Sequence, residues 1–434
     1  MHRLIAFVGV VAWVSAGCGG NCAEVAAIRQ SLRAPRPSAP GPHAEVRVPL
    51  ARANAFLAEV VQAAPVQVAL DVPDLGPLVP IGHRALTAIA RDVQLRPASD
   101  DHLRFALRIE IDDGAQALTT LAVETEVAPR LVRDAGVTEL VTSFGPENLV
   151  AIRPVLDAGA DRALGDAVRR WLPPSVASRV PGAVLDRAAG ALAEHLTGAA
   201  YHGLEATLLR RLGELTALRI RLPALPIAKV ALRSSGELLT IGLTTDLPVR
   251  RGLGDAHGAA DDDIAVRLSG STVAELANWA IDHGPLPAHY TRDLEPATGG
   301  EFRPYFDFLA EDAARPFKIH VLQERGGCSY FRVGLRPTLE VTGDKLEIGI
   351  HDRWVETAEA SAAVRAGLWL KQLLFGAVET SRRAAAEVQI TAGGRTFTTR
   401  AVRADVSGGD FGFALALSAA PDTPAPQHVQ PIVR

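Results

Sequence analysis

The sequence predicts an α+β fold made of two similar domains in tandem, and three observations carry that expectation. The first is an internal echo. Val93-Gln94-Leu95-Arg96-Pro97 is followed by Asp101-His102-Leu103-Arg104-Phe105-Ala106-Leu107, and Val333-Gly334-Leu335-Arg336-Pro337 by Asp344-Lys345-Leu346-Glu347-Ile348-Gly349-Ile350. Each copy reads as strand, short turn, strand. Upstream, Val46-Arg47-Val48 enters an amphipathic segment ending at Ala64-Pro65, and Val266-Arg267-Leu268 enters one ending at Gly284-Pro285. Element order is kept while loop lengths drift, unlike the short fixed period of a solenoid. The second observation is period-2 alternation: Phe105, Leu107, Ile109 and Ile111 alternate with Arg104, Arg108, Glu110 and Asp112, the pattern of an antiparallel sheet with one wet face. The third is two long Ala/Leu-rich stretches at helical spacing, one in each half.

Taken in order, residues 19–43 are Pro-rich and predict an extended spacer. Val46 and Val48 open the first domain, and the spacing predicts a helix from Leu50 to Ala63, a strand over 66–72, a loop around Gly76–Gly82, and strands through Val93–Leu95, 105–111 and 121–127. A helical region from about 147 to 215 follows, broken at Pro173-Pro174 and Pro181-Gly182, with Leu192 and Leu196 on its apolar face. Leu218-Ile220-Leu222 closes the domain. In the second half, strands are expected at 230–232, 239–243, 266–268, 317–321, 331–335, 339–341 and 346–350. Helices are expected through Leu276–Ile281 and from Thr357 to Glu387, the latter carrying Leu370 and Leu374. Residues 284–316 read as loop-rich. Val230–Leu243 and Val402–Leu415 echo each other as hairpins. The expected division is 1–17 signal peptide, 18–43 anchor and tether, 44–222 first domain, 223–420 second domain and 421–434 tail.

The chain has 434 residues, 48% hydrophobic and 22% charged, with net charge −4, so it should be globular and carries no basic balance pointing to nucleic acid. His2 and Arg3 precede an apolar run, Leu4 to Val14, too short to span a bilayer comfortably. Ser15-Ala16-Gly17-Cys18 resembles the bacterial lipobox, departing from it at Ser15; the resemblance implies diacylation of Cys18 and a periplasm-facing outer-membrane lipoprotein. The other cysteines are Cys22 and Cys328. An oxidising compartment would let them pair, but Cys22 falls in the predicted tether, so two separate thiols are expected.

The order strand, helix, one-sided antiparallel strands, long Ala/Leu helix and closing strands, given twice around a Pro-rich joint, resembles the tubular lipid-binding (TULIP) superfamily, in particular its two-domain, bactericidal/permeability-increasing type. The resemblance covers residues 45 to about 420 and rests on element order and on Asp263–Pro285, similar to the start of that family's second domain. It implies an elongated molecule in which each curved sheet wraps a long helix and the two units meet at a central sheet. It also implies an apolar slot for acyl chains between helix and sheet. Phe105, Leu107, Ile109, Ile111, Leu192 and Leu196 would line the first slot; Leu346, Ile348, Ile350, Leu370 and Leu374 would line the second. Arg52, Arg91 and Arg96 are scattered among acids, so a phospholipid or similar acyl lipid fits better than a strongly anionic glycolipid. The same alternation would serve two solid cores, which leaves an anchored structural or interaction module as the alternative.

Catalytic signatures are absent from the sequence: there is no GxSxG, HExxH, Walker loop or GxGxxG after a strand. Gly252-Leu253-Gly254 lacks the continuation. Asp255, His257, Asp261, Asp262 and Asp263 lack EF-hand spacing and read as a solvated loop. His195 and His202 lack Glu or Cys partners. Asp307, Glu311 and Asp312 beside Tyr305 read as a solvated acidic turn, and Phe302, Tyr305, Phe306 and Phe308 as an aromatic cluster at the joint, at a slot mouth or in ordinary loop packing. A monomer that is no enzyme and holds no cofactor or metal is expected.

Overall fold

The computed structural model describes residues 22–419 except 35, 64–66, 73, 76–78, 129, 135–136, 143–148, 199–217, 224–225, 255–263, 285, 292–294, 344, 361–379, 386 and 393–394. The fold is α+β, dominated by antiparallel sheets. Helix α1 (Cys22–Arg33) precedes β1 (Ala44–Pro49) and α2 (Leu50–Ala63). The strands β2 (Gln67–Val72), β3 (Arg84–Arg96), β4 (Leu103–Asp112), β5 (Ala117–Val127) and β8 (Leu149–Leu156) form a five-stranded sheet in the order 2-3-4-5-8. β6 (Arg130–Asp134), β7 (Val137–Thr142) and β9 (Leu218–Pro223) form a separate three-stranded sheet. Between β8 and β9 come α3 (Ala160–Trp171), α4 (Pro174–Ala177) and α5 (Gly182–Thr197).

The second half contributes β10 (Ile227–Ser235), β11 (Leu238–Thr245), β12 (Ile264–Ser269) and α6 (Gly270–Asp282). A second five-stranded sheet is built in sequence order from β13 (Phe302–Phe308), β14 (Phe317–Gln323), β15 (Tyr330–Thr342), β16 (Lys345–Glu359) and β17 (Thr380–Ala385). β18 (Glu387–Ala392), β19 (Arg395–Ser407) and β20 (Asp410–Ala419) complete a central seven-stranded sheet ordered 10-11-1-12-20-19-18. β1 therefore lies between two strands of the second half, paired with β11 through Val46↔Ile241 and with β12 through Val46↔Val266.

Both echoed hairpins form. Ser407 pairs with Asp410 across Gly408-Gly409, whose φ values of 58° and 84° are the two positive angles a type I′ turn needs. The other, β10–β11, turns at Gly236 (φ 58°). The two halves share an unforeseen detail. Asn54 of α2 accepts from the Leu95 amide and donates to the Leu95 carbonyl, and Asn278 of α6 makes the same pair of bonds with Phe306. In each half the helix after the first strand is pinned by an asparagine that mimics a neighbouring strand. α6 starts at Ser269, whose Oγ accepts from the Thr272 amide as an N-cap.

One face of the central sheet is apolar and serves two cores. Leu232, Leu239 and Ile241 join the first core, which packs the β2–β5 sheet against α3 and α5; Phe411, Phe413, Ala404 and Val406 join the second, with Phe308, Phe317 and Leu335. Phe317 meets Phe308 and Phe411 edge-on, with ring centroids 5.2 and 5.4 Å apart. Phe308 of the predicted aromatic cluster thus joins second sheet to central sheet, while Phe302 belongs to a separate core with Phe331.

Several expectations are corrected. The predicted spacer contains α1: Val25, Ile28 and Leu32 share one helical face and pack on Leu322 and Tyr330 of the second sheet. That docking brings Cys22 to Cys328, and the two form a disulfide, not separate thiols. Residues 149–156 are strand β8, where a helix was expected; β-branched Val150, Ile152 and Val155 favour the pleat. The helix expected from Thr357 to Glu387 is strand at both ends, β16 running through Glu359 and β17 spanning 380–385. The stretch 284–316 read as loop contains β13. The signal segment, Cys18, the Asp255–Asp263 loop, His202, Leu370, Leu374 and the tail after Pro421 lie outside the described residues.

Candidate functional site

In the first half, the alternation of β4 decides which side chains face inward. Phe105, Leu107, Ile109 and Ile111 point at the helices, while Arg104, Arg108 and Glu110 face away. Leu192 and Leu196 lie on α5 at i and i+4 and so share a face. All six belong to one core cluster, and none is more than 6% exposed. A void wide enough for a methylene chain would leave accessible area on its lining, so in this conformation these side chains pack against each other.

The second half differs at the corresponding place. Ile348 of β16 stands where Phe105 stands in the echo, and it is 40% exposed; Leu346 and Ile350, two residues to either side on the same face, are half-buried. Register places this row opposite Val341, Leu339 and Pro337 of β15. The second sheet therefore keeps an apolar row that is only partly covered. A smaller cleft of ≈ 140 Å³ opens between α2 and β20, bottomed by Phe56, Phe397 and Leu417.

The acidic stretch expected to be solvated is instead tied into the second sheet. Asp307 on β13 is buried, 3.2 Å from Arg250 and 4.0 Å from Nε2 of His320. His320 Nδ1 lies 2.8 Å from the Tyr330 hydroxyl. Burial, with the charges of Arg332, Arg36, Arg250 and Lys318 adding to it, pushes His320 down to about 4, and burial pushes the Tyr330 phenol up to about 12. At neutral pH the imidazole is uncharged and the phenol keeps its proton. Asp312 and Glu356 both accept from Lys318, which is almost wholly buried. The Lys318 hydrogen bond holds the Asp312 carboxyl below its ordinary range. Tyr305 accepts from Arg33 of α1 at 2.8 Å. Tyr330, His320 and Asp307 line up as an acid–base relay would, but all three are more than 90% buried, so no substrate reaches them. The cluster is structural. His195 bonds the Asp71 carbonyl at 3.2 Å. Among the described residues no group of three or more His, Cys, Asp or Glu could hold a metal.

No protein-family model matches the chain, and no curated protein matches it in sequence. Solved structures do align. P47 of Clostridium botulinum E1 superposes with a TM-score of 0.41 at 9% identity, covering 86% of this chain and 98% of that one. P47 from Clostridium botulinum A2 gives 0.29 at 10% identity, covering 89% and 82%. A lipopolysaccharide binding protein gives 0.18 at 8% identity, covering 88% and 83%.

Proposed function

We propose that the chain is an envelope lipoprotein, anchored through an acylated Cys18, that binds the acyl chains of a phospholipid-like molecule without catalysing a reaction. The half-open apolar row Leu346, Ile348 and Ile350 carries this reading, because an exposed apolar row on a sheet face is costly in water and gains roughly 25 cal/mol per Å2 when an acyl chain covers it. The disulfide suits an oxidising, extracytoplasmic compartment. It also docks α1 on the second sheet, so an anchor at Cys18 would hold that half, the one with the open row, close to the membrane.

The test is lipid extraction. The chain from Cys22 onward, secreted behind an ordinary leader so that the disulfide forms, is purified without detergent, extracted with organic solvent and analysed by mass spectrometry. Stoichiometric acyl lipid that falls at least severalfold in Ile348→Glu is the expected result. A blank extract, repeated after incubation with liposomes, would sink the carrier reading. The closed packing of the first half favours the alternative in that event: an anchored interaction module acting through its surfaces.

A further inference from the structure

The polar face of the central sheet holds a cleft of ≈ 230 Å³ that the acyl-binding reading does not use. Its floor and walls follow from strand register. Arg47 of β1 pairs with Ala265 of β12, Ala265 with Ala414 of β20, and Ala414 with Arg403 of β19. Two residues along, Glu45, Arg267, Gly412 and Asp405 form the next row on the same face. Ala265, Ala414 and Gly412 thus make a low floor two strands wide, flanked by two arginines whose Cα atoms stand roughly 14 Å apart at ordinary strand spacing.

Two features indicate that the arrangement is built. The first is a bulge. The β19–β20 register slips between Ala401 and Arg403, leaving Val402 as the extra, exposed residue. Without that slip Arg403 would oppose Phe413 and point into the core; with it, Arg403 and Asp405 turn onto the arginine face. Bulges re-aim side chains in this way and are common beside functional sites. The second is support from beneath. Buried Asp410 holds Arg267 at 2.8 Å and accepts from the Gly254 amide at 3.1 Å, and buried Glu45 accepts from Arg47. Arg251 is fixed over the turn by donating to the Gly408 carbonyl at 2.8 Å. Arg267 also donates to the Gly254 carbonyl at 3.1 Å and so braces the cleft. A guanidinium has five donors, and the single carboxylate on Arg47 or carbonyl on Arg251 engages only part of them. A β-carbon at Gly412 would come within 2.7 Å of an Asp405 oxygen, so the glycine lets the two strands carry this row.

We propose that this cleft binds a phosphate group, gripped between Arg47 and Arg403 with Arg251 also on its lining, while Arg267 adds charge from its place against Asp410. Arginine forks match tetrahedral phosphate oxygens two at a time, and a low floor lets the group descend between them. The phosphate could be free or carried by a glycerolipid headgroup. The cleft lies on the opposite face of the sheet from both cores, so its test is independent of acyl binding.

The experiment is calorimetric titration of the purified full chain with three probes: inorganic phosphate, glycerol 3-phosphate and short-chain dihexanoyl phosphatidic acid below its micelle concentration. Saturable binding is expected, weakening as salt rises. Binding of all three assigns the site to phosphate itself, whereas binding of the lipid analogue alone assigns it to a headgroup when Arg403→Gln weakens it and Ile348→Glu does not; the reverse pattern places it on the acyl row and overturns the proposal. Arg403→Gln, an exposed position whose loss should leave the circular dichroism and Tm unchanged, is expected to weaken binding roughly tenfold or more, and Arg251→Gln likewise. No saturable binding by any probe up to on the order of 10 mM, or binding unchanged in both variants, overturns the proposal.

Discussion

His320 shows how a single buried side chain makes stability depend on pH. Its folded pKa of about 4 lies below the ordinary histidine value, so between the two the unfolded chain binds a proton that the folded chain refuses. Stability is therefore full above about pH 6.5 and falls as pH drops toward 4, by on the order of 3 kcal/mol over that window. Tyr330 and Asp307 lie against the ring, and the charges of Arg332, Arg36, Arg250 and Lys318 add to the effect of burial. Urea unfolding at pH 7 and pH 4.5 checks this: His320→Gln should lose less stability on acidification than the parent, and equal losses would exclude the cause. The burial of His320, Asp307 and Lys318 was not legible in the sequence, where Asp307 and Asp312 sit among polar, turn-like neighbours. By contrast, which way Phe105, Leu107, Ile109 and Ile111 face followed from alternation alone, because successive side chains of a strand point to opposite faces.

At the scale of elements, α1 is the instructive case. Its segment, Cys22–Arg33, lies just before prolines and was expected to be extended, yet Ala26, Ala27 and the flanking residues are good helix formers. A helix this short is marginal by itself. Docking on Leu322 and Tyr330, an ion pair from Arg33 to Glu324 and the Cys22–Cys328 bond hold it in place. Closing so long a loop constrains the unfolded chain, so Cys328→Ser should cost about 5 kcal/mol and expose α1 to proteolysis. Denaturant midpoints with and without reductant, together with limited proteolysis, would reveal it; an unchanged midpoint would place α1 outside the cooperative unit. Strands β8, β16 and β17 mark the converse error. Side-chain period did not separate helix from strand there, and pairing of β8 with β5, β16 with β15 and β17 with β16 decided it. The paired asparagines Asn54 and Asn278 were visible as Ala-Asn in both amphipathic segments, but their bonds to Leu95 and Phe306 join residues distant in sequence.

At the scale of the whole molecule, the central sheet couples the halves. β1 has both of its partner strands in the second half, and Leu232 and Leu239 complete the first core. A fragment of residues 44–222 would lack these strands and expose the apolar side of β1. It should therefore not unfold cooperatively, whereas the full chain should show one dominant calorimetric transition with matching calorimetric and van't Hoff enthalpies. A fragment that folds and melts cooperatively on its own would refute this coupling. The strand–helix start of each half was legible in the sequence, because Val46-Arg47-Val48 and Val266-Arg267-Leu268 each run into an amphipathic segment. The interleaving was not, because β1 reads the same whichever strands flank it.

The sequence by itself determined the α+β class, both echoed hairpins and the inward face of β4, where Phe105, Leu107, Ile109 and Ile111 are buried. These are local consequences of side-chain period and turn chemistry. Tertiary structure alone decided that Cys22 meets Cys328, that the first half packs closed while Ile348 stays half-open, and that four arginines from β1, β12, β19 and the segment after β11 converge on one cleft. Each of these depends on contacts between residues far apart in the chain, set by strand register and by one bulge, which no local pattern encodes.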